Sequence, residues 1–173
     1  MNTQTDPLQF ALDIEARGAQ LYLSLAAHTD NKLAKLLFYS LAGKEVEHAR
    51  LFDTIYAKIR VKETHEPLPL NPPESIEAEL KSFFEKAGKA DLKRGTVQKE
   101  GYESAMLIER KSYDAYKSFH DVAVSEDEKK FFERLMCEEN EHYAALANIY
   151  LYLTNIGDWL QEDEGTTWNW MNT

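Results

Sequence analysis

The chain has 173 residues, with 20 Lys and Arg against 30 Asp and Glu, and a formal net charge of −10. Apolar residues make up 43% and charged residues 29%, which excludes a disordered chain, and the length suits one domain with a sizeable core. The acidic balance argues against nucleic acid, whose phosphates ask for clustered Lys and Arg, and the single cysteine, Cys137, excludes an intrachain disulfide or a Cys-rich metal site within one chain.

No run approaches the ~18 apolar residues of a membrane span. Residues 1–7 carry neither the basic nor the apolar part of a signal peptide. The expectation is a cytoplasmic protein with no membrane partner.

In chain order, Asp6-Pro7-Leu8-Gln9 opens a first helix, with Asp6 as N-cap and Pro7 at the first helical position. Leu8, Ala11, Glu15, Gly18, Tyr22 and Leu25 follow at steps of three and four and share one face. Asp30-Asn31 marks a turn. A second helix then places Ala34, Leu37, Leu41, Glu45, His48, Phe52, Ile55 and Ile59 on one face. Pro67, Pro69, Pro72 and Pro73 interrupt the chain, and Ser75 can cap a short helix over roughly Ile76–Lys86. Tyr102, Ala105, Glu109, Ser112, Tyr116 and Phe119 share a face of the next long helix. Ser125-Glu126-Asp127-Glu128 reads as a capping box before the last one, whose face carries Phe132, Leu135, Glu139, His142, Leu146, Ile149 and Leu153. The end, with Trp159, Trp168 and Trp170, reads as a tail or short helix.

These elements predict an all-α fold: a four-helix bundle of two helical hairpins joined by one long crossover between the second and third long helices. Hairpin one covers about 7–63, the crossover about 64–97, hairpin two about 98–155, and the tail 156–173. A crossover of this length frees the third helix from a direct antiparallel return, as in one-crossover bundles.

The hairpins also repeat. A shift of 94 residues registers residues 11–59 on the second half without a gap, pairing Glu15 with Glu109, Tyr22 with Tyr116, Glu45 with Glu139 and His48 with His142. Chance matching of amphipathic helices explains the shared Ala, Ile and Leu. It does not explain three coincident ionisable positions on a face that should be buried. The repeat predicts a pseudo-two-fold arrangement.

Glu45-Val46-Glu47-His48 and Glu139-Asn140-Glu141-His142 are both Glu-x-x-His motifs, whose spacing sets carboxylate and imidazole on adjacent turns of one face. Four buried carboxylates are costly unless compensated. Two divalent cations would balance them, and mixed carboxylate and imidazole ligation suits iron or manganese. The expected metal ligands are Glu15, Glu45, His48, Glu109, Glu139 and His142. Glu15 and Glu109 would serve one metal each, Glu45 and Glu139 would bridge, and His48 and His142 would hold one metal apiece. Tyr22 and Tyr116 read as core residues, one of which could donate a hydrogen bond near the metals. Glu47 and Glu141 point away, Cys137 reads as a packing residue, and His28, His65 and His120 are peripheral.

A Glu from each of two helices with two Glu-x-x-His motifs resembles the ferritin-like di-iron carboxylate proteins. The segments Ala11–Glu15 through Tyr22, Glu45–His48, Ala105–Glu109 through Tyr116 and Glu139–His142 are most similar to the rubrerythrin-related branch. The resemblance implies a non-haem centre of two iron ions, with manganese or a mixed pair as variants, that reacts with hydrogen peroxide or dioxygen. Rubrerythrins usually carry a rubredoxin domain with two Cys-x-x-Cys motifs. This sequence has one cysteine, so reduction would use an external donor such as a rubredoxin-like protein. They also carry an extra glutamate one turn after the third-helix ligand. Ser112 stands there, with Gly18 as its mate, which leaves a symmetric six-ligand set closer to that of bacterioferritin.

Three functions follow. The first is a di-iron oxidoreductase, a peroxidase or oxidase, working as a homodimer or larger homo-oligomer. The second is a ferroxidase or storage protein, with Fe(II) itself as substrate. The third is a metal-binding structural bundle without catalysis.

Overall fold

The computed structural model describes residues 7–61, 75–86, 99–124 and 126–154. The caps expected at Asp6 and Ser125, the proline stretch, His65, the tryptophan-bearing end and every expected domain boundary lie outside these residues. Five helices are described: α1 (Pro7–His28), α2 (Lys32–Val61), α3 (Ile76–Lys86), α4 (Lys99–Val122) and α5 (Glu126–Thr154). Helix α1 packs on α2 and α4 on α5, forming two hairpins, and the hairpins meet through α1 against α4 and α2 against α5. The short α3 lies against α2 and α5. No helix among the described residues is long and apolar enough to cross a membrane.

The helix ends follow from local chemistry. Asn31 caps α2, its side-chain oxygen accepting the Ala34 amide at 2.9 Å. Helix α5 opens on Glu126, Asp127 and Glu128, three negative charges at the positive end of the helix dipole. Helices α1 and α4 close on His28 and His120, cationic residue types suited to the opposite end.

Burial follows the expected faces closely. Ala11, Glu15, Tyr22 and Leu25 of α1 are buried, as are Ala34, Leu37, Leu41, Glu45, His48 and Phe52 of α2. Tyr102, Ala105, Glu109, Ser112 and Tyr116 of α4 join Leu135, Glu139, His142, Leu146, Ile149 and Leu153 of α5. Side chains of Leu8, Ile55 and Ile59 lie outside the described set. The structure corrects one aromatic. Phe131, not Phe132, is the buried phenylalanine of α5: it meets Phe52 edge-on at 5.5 Å, while half-buried Phe132 flanks the core against Phe119 at 5.6 Å. It also corrects Cys137, which is exposed and so packs in no core.

The buried residues form two apolar clusters. One, around Tyr22, Leu37, Phe38, Leu41, Tyr102, Leu146 and Ile149, fills one end of the bundle. The other, Ala11, Phe52, Tyr116, Phe131 and Leu135, fills the opposite end. Helices α1 and α5 run from the second cluster toward the first, and α2 and α4 run the other way. Exchange of α1 with α4 and of α2 with α5 therefore preserves the layout, which is the two-fold relation that the sequence repeat predicts.

Candidate metal centre

Each of the four long helices crosses from one apolar cluster to the other, and at the crossing its buried face turns ionisable. Helix α1 passes through Glu15 between Ala11 and Tyr22. Helix α2 passes through Glu45 and His48 between Leu41 and Phe52. Glu109 of α4 lies between Ala105 and Tyr116, and Glu139 and His142 of α5 lie between Leu135 and Leu146. All six residues are at most 2% exposed.

The structure brings the six together in two overlapping groups. One ligand atom from each of Glu15, Glu45, His48 and Glu139 lies within 4.8 Å of the others, and the same holds for Glu45, Glu109, Glu139 and His142. Glu45 and Glu139 belong to both groups. His48 Nδ1 faces Glu15 at 3.3 Å, Glu139 at 3.5 Å and Glu45 at 3.9 Å. His142 Nδ1 faces Glu45 at 3.4 Å, Glu109 at 3.5 Å and Glu139 at 3.7 Å. The two imidazoles stack 5.5 Å apart.

Such crowding perturbs every charge. Burial, then the nearby Glu45, raise the Glu15 carboxyl well above its ordinary value, and burial and Glu109 do the same to Glu139. Burial also opposes charge on Glu45. The close approach of Glu15 and of the His142 and His48 imidazoles outweighs it, and Glu45 falls to about 2. Burial disfavours charge on His142, but Glu109, Glu139 and Glu45 hold it well above its ordinary value. The Glu15 and Glu139 carboxyls and the His142 imidazole thus hold protons to higher pH than usual, and a cation would compete with those protons.

Sequence reasoning missed one functional neighbour, Glu138. It is 6% exposed and meets His48 Nε2 with Oε2 at 2.6 Å, while Oε1 accepts from Arg134 Nε at 2.7 Å. Burial raises the Glu138 carboxyl, but the bond from His48 and the Arg134 guanidinium bring it down to about 2. A carboxylate only accepts, so His48 donates from Nε2, and its Nδ1 faces Glu15, Glu45 and Glu139. The signal was faint because Lys44 is the repeat mate of Glu138, so the symmetry that exposed the other residues hid this one.

Other expected residues sort clearly. Tyr22 and Tyr116 are buried in opposite apolar clusters, and their hydroxyls have no hydrogen-bond partner among the described residues, so neither bonds a glutamate of the belt. Glu47 and Glu141 are exposed. His28 and His120 stand outside the cluster, His120 pairing with Asp121 and Glu133. Gly18 faces Glu45: a Cβ there would come within 3.3 Å of its Cγ and Cδ. A groove of about 680 Å³ runs along the α1–α4 seam, lined by Phe10, Ile14, Arg17, Ile108, Lys111 and Phe119 among others.

The donor set fits two cations. Both oxygens of Glu15, Glu109 and Glu139, one of Glu45, and Nδ1 of both histidines are buried with no hydrogen-bond partner among the described residues. Unsatisfied buried acceptors are rare unless something else meets them. Six oxygen and nitrogen donors in two overlapping groups suit a dinuclear carboxylate metal site. A family model described as rubrerythrin matches residues 6–150. No curated protein and no solved structure matches the chain.

Proposed function

Because this chain belongs to the rubrerythrin family, we propose that it is a non-haem di-iron oxidoreductase that reduces hydrogen peroxide or dioxygen with electrons from an external donor. The observation that supports this reading is the buried belt itself: four carboxylates and two imidazoles converge on one another and leave their donor atoms otherwise unmet. Glu15 and His48 would hold one iron, Glu109 and His142 the other, and Glu45 and Glu139 would serve both. When bound, the iron pair supplies the two electrons that, with two protons, turn peroxide into two waters.

The chain's own residues do the rest. The apolar clusters on either side of the belt exclude water from the ligand atoms. Glu138 fixes which nitrogen of His48 faces inward. Beside Glu15 and Glu109, the α1–α4 groove offers an apolar surface rimmed by Arg17 and Lys111, from which a small substrate would approach. The single cysteine gives these residues no Cys-x-x-Cys relay, so the proposal includes a separate donor such as a rubredoxin-like protein. It also includes assembly as a homodimer or larger homo-oligomer in the cytoplasm.

The test is anaerobic. Protein purified without chelator and loaded with Fe(II) should change its optical spectrum and consume peroxide when peroxide is added. Absence of peroxide or dioxygen consumption by the reduced, iron-loaded protein would defeat the proposal. Size exclusion separates it from the storage reading: a very large particle holding far more than two irons per chain would make Fe(II) the substrate.

A further inference from the structure

We infer that the two halves of the centre are unequal, and that the cation held by Glu15 and His48 binds more tightly than the cation held by Glu109 and His142. This rests on the dinuclear reading above and concerns what surrounds the ligands. The six donors obey the two-fold repeat, but their outer neighbours do not. His48 donates through Nε2 to Glu138 at 2.6 Å, and Glu138 is itself held by Arg134 at 2.7 Å. The position on α2 that matches Glu138 is Lys44, which pairs with Glu47 at 3.6 Å. The three carboxylates around His142, those of Glu45, Glu109 and Glu139, all face its Nδ1, the side that would meet the metal.

The consequence is a difference in ligand quality. A carboxylate behind a histidine fixes its tautomer and ring orientation and makes the metal-facing nitrogen a stronger donor. His48 has that support. The position that matches Glu138 is a lysine, which cannot accept a hydrogen bond, so the repeat supplies no equivalent carboxylate for His142. Glu138 is thus a positioning residue for one metal only. The centre would hold one resident cation, on the His48 side, and one more exchangeable cation, on the His142 side.

The experiment is a calorimetric titration of metal-stripped, full-length protein with Fe(II) under anaerobic conditions. Wild type should bind in two steps separated by about tenfold or more in affinity, the usual scale of such outer contacts. His48→Ala should abolish the tighter step, and His142→Ala the weaker one. Glu138→Gln, which keeps the shape but loses the charge, should weaken the tighter step by about 10–100-fold and leave the other nearly unchanged, so the steps merge. Lys44→Glu, which puts a carboxylate at the position matching Glu138, should tighten the weaker step and keeps the test alive should Glu138→Gln not fold. Two equal steps in wild type, or equal weakening of both by Glu138→Gln, would overturn the inference while leaving the dinuclear reading intact. No binding of Fe(II) at all would overturn both.

Discussion

Along each long helix the buried face changes character twice, from apolar to ionisable and back. The flanking clusters and the belt between them share the same helices and the same burial, yet they oppose each other energetically. Burying Leu146 or Phe52 favours folding at roughly 25 cal/mol per Å² of apolar surface. Burying Glu15 beside Glu45 and Glu109 beside Glu139 disfavours it, and the raised carboxyls of Glu15 and Glu139 record that opposition. The flanks hold the fold together. The belt is tolerated by the fold, and its compensation comes from protons or from cations.

The largest expected effect separates the two regions most sharply. Glu139→Gln removes the acidic group of a shared ligand whose carboxyl burial and Glu109 push well above its ordinary value. Metal content should fall from two cations per chain to fewer than one, while the metal-free variant melts within a few degrees of wild type. Metal analysis and thermal denaturation on the same samples check both halves. Leu146→Ala is the reverse case. Its side chain is wholly buried in the larger cluster, and truncation should cost about 2–5 kcal/mol of stability. Metal stoichiometry, measured well below the melting temperature, should stay at two.

A smaller effect comes from pH. The carboxyls of Glu15 and Glu139 and the His142 imidazole sit above their ordinary values when folded. Their stabilisation is full below the unfolded values and is lost as pH rises through the folded ones. Glu45 and Glu138, lowered to about 2, work the other way and lose their contribution only in acid, as pH falls below the ordinary 4.5. The metal-free protein should therefore melt lower at about pH 8 than at about pH 5, by a shift on the order of a few degrees. Cations compete with those protons, so the metal-loaded protein should show the opposite trend. The smallest effect is expected from Gly18→Ala. Alanine favours the helix by up to about 1 kcal/mol, but its Cβ would press on Glu45 at 3.3 Å. Stability should rise slightly and metal affinity should drop, a split that a variant of the apolar clusters would not produce.

Much of this was legible in the sequence because helical periodicity and the 94-residue repeat act on the same residues. The stripes through Glu15, Glu45, Glu109 and Glu139 gave burial, and their coincidence gave the belt. Three features escaped. Phe131 and Phe132 are adjacent and both apolar, so a step of three or four before Leu135 fits either; aromatic packing against Phe52 selects Phe131. Cys137 lies two residues from Leu135 and from Glu139, on a face that the structure leaves exposed. Glu138 looks like one more surface acid in Glu138-Glu139-Asn140-Glu141, and only the approach of α2 reveals that it meets His48. Contacts between helices distant in the chain carry no local periodic signal.

The central claim is that the belt is a site for two cations, and the most direct test is stoichiometry. Metal-stripped protein titrated anaerobically with Fe(II) should take up two ions per chain and release protons as it does so, since Glu15, Glu139 and His142 hold protons to higher pH than usual and cations compete with them. The same titration of Glu45→Ala, which lacks a carboxylate common to both groups, should lose most of that uptake. Uptake of no iron, or uptake that Glu45→Ala leaves unchanged, would contradict the account.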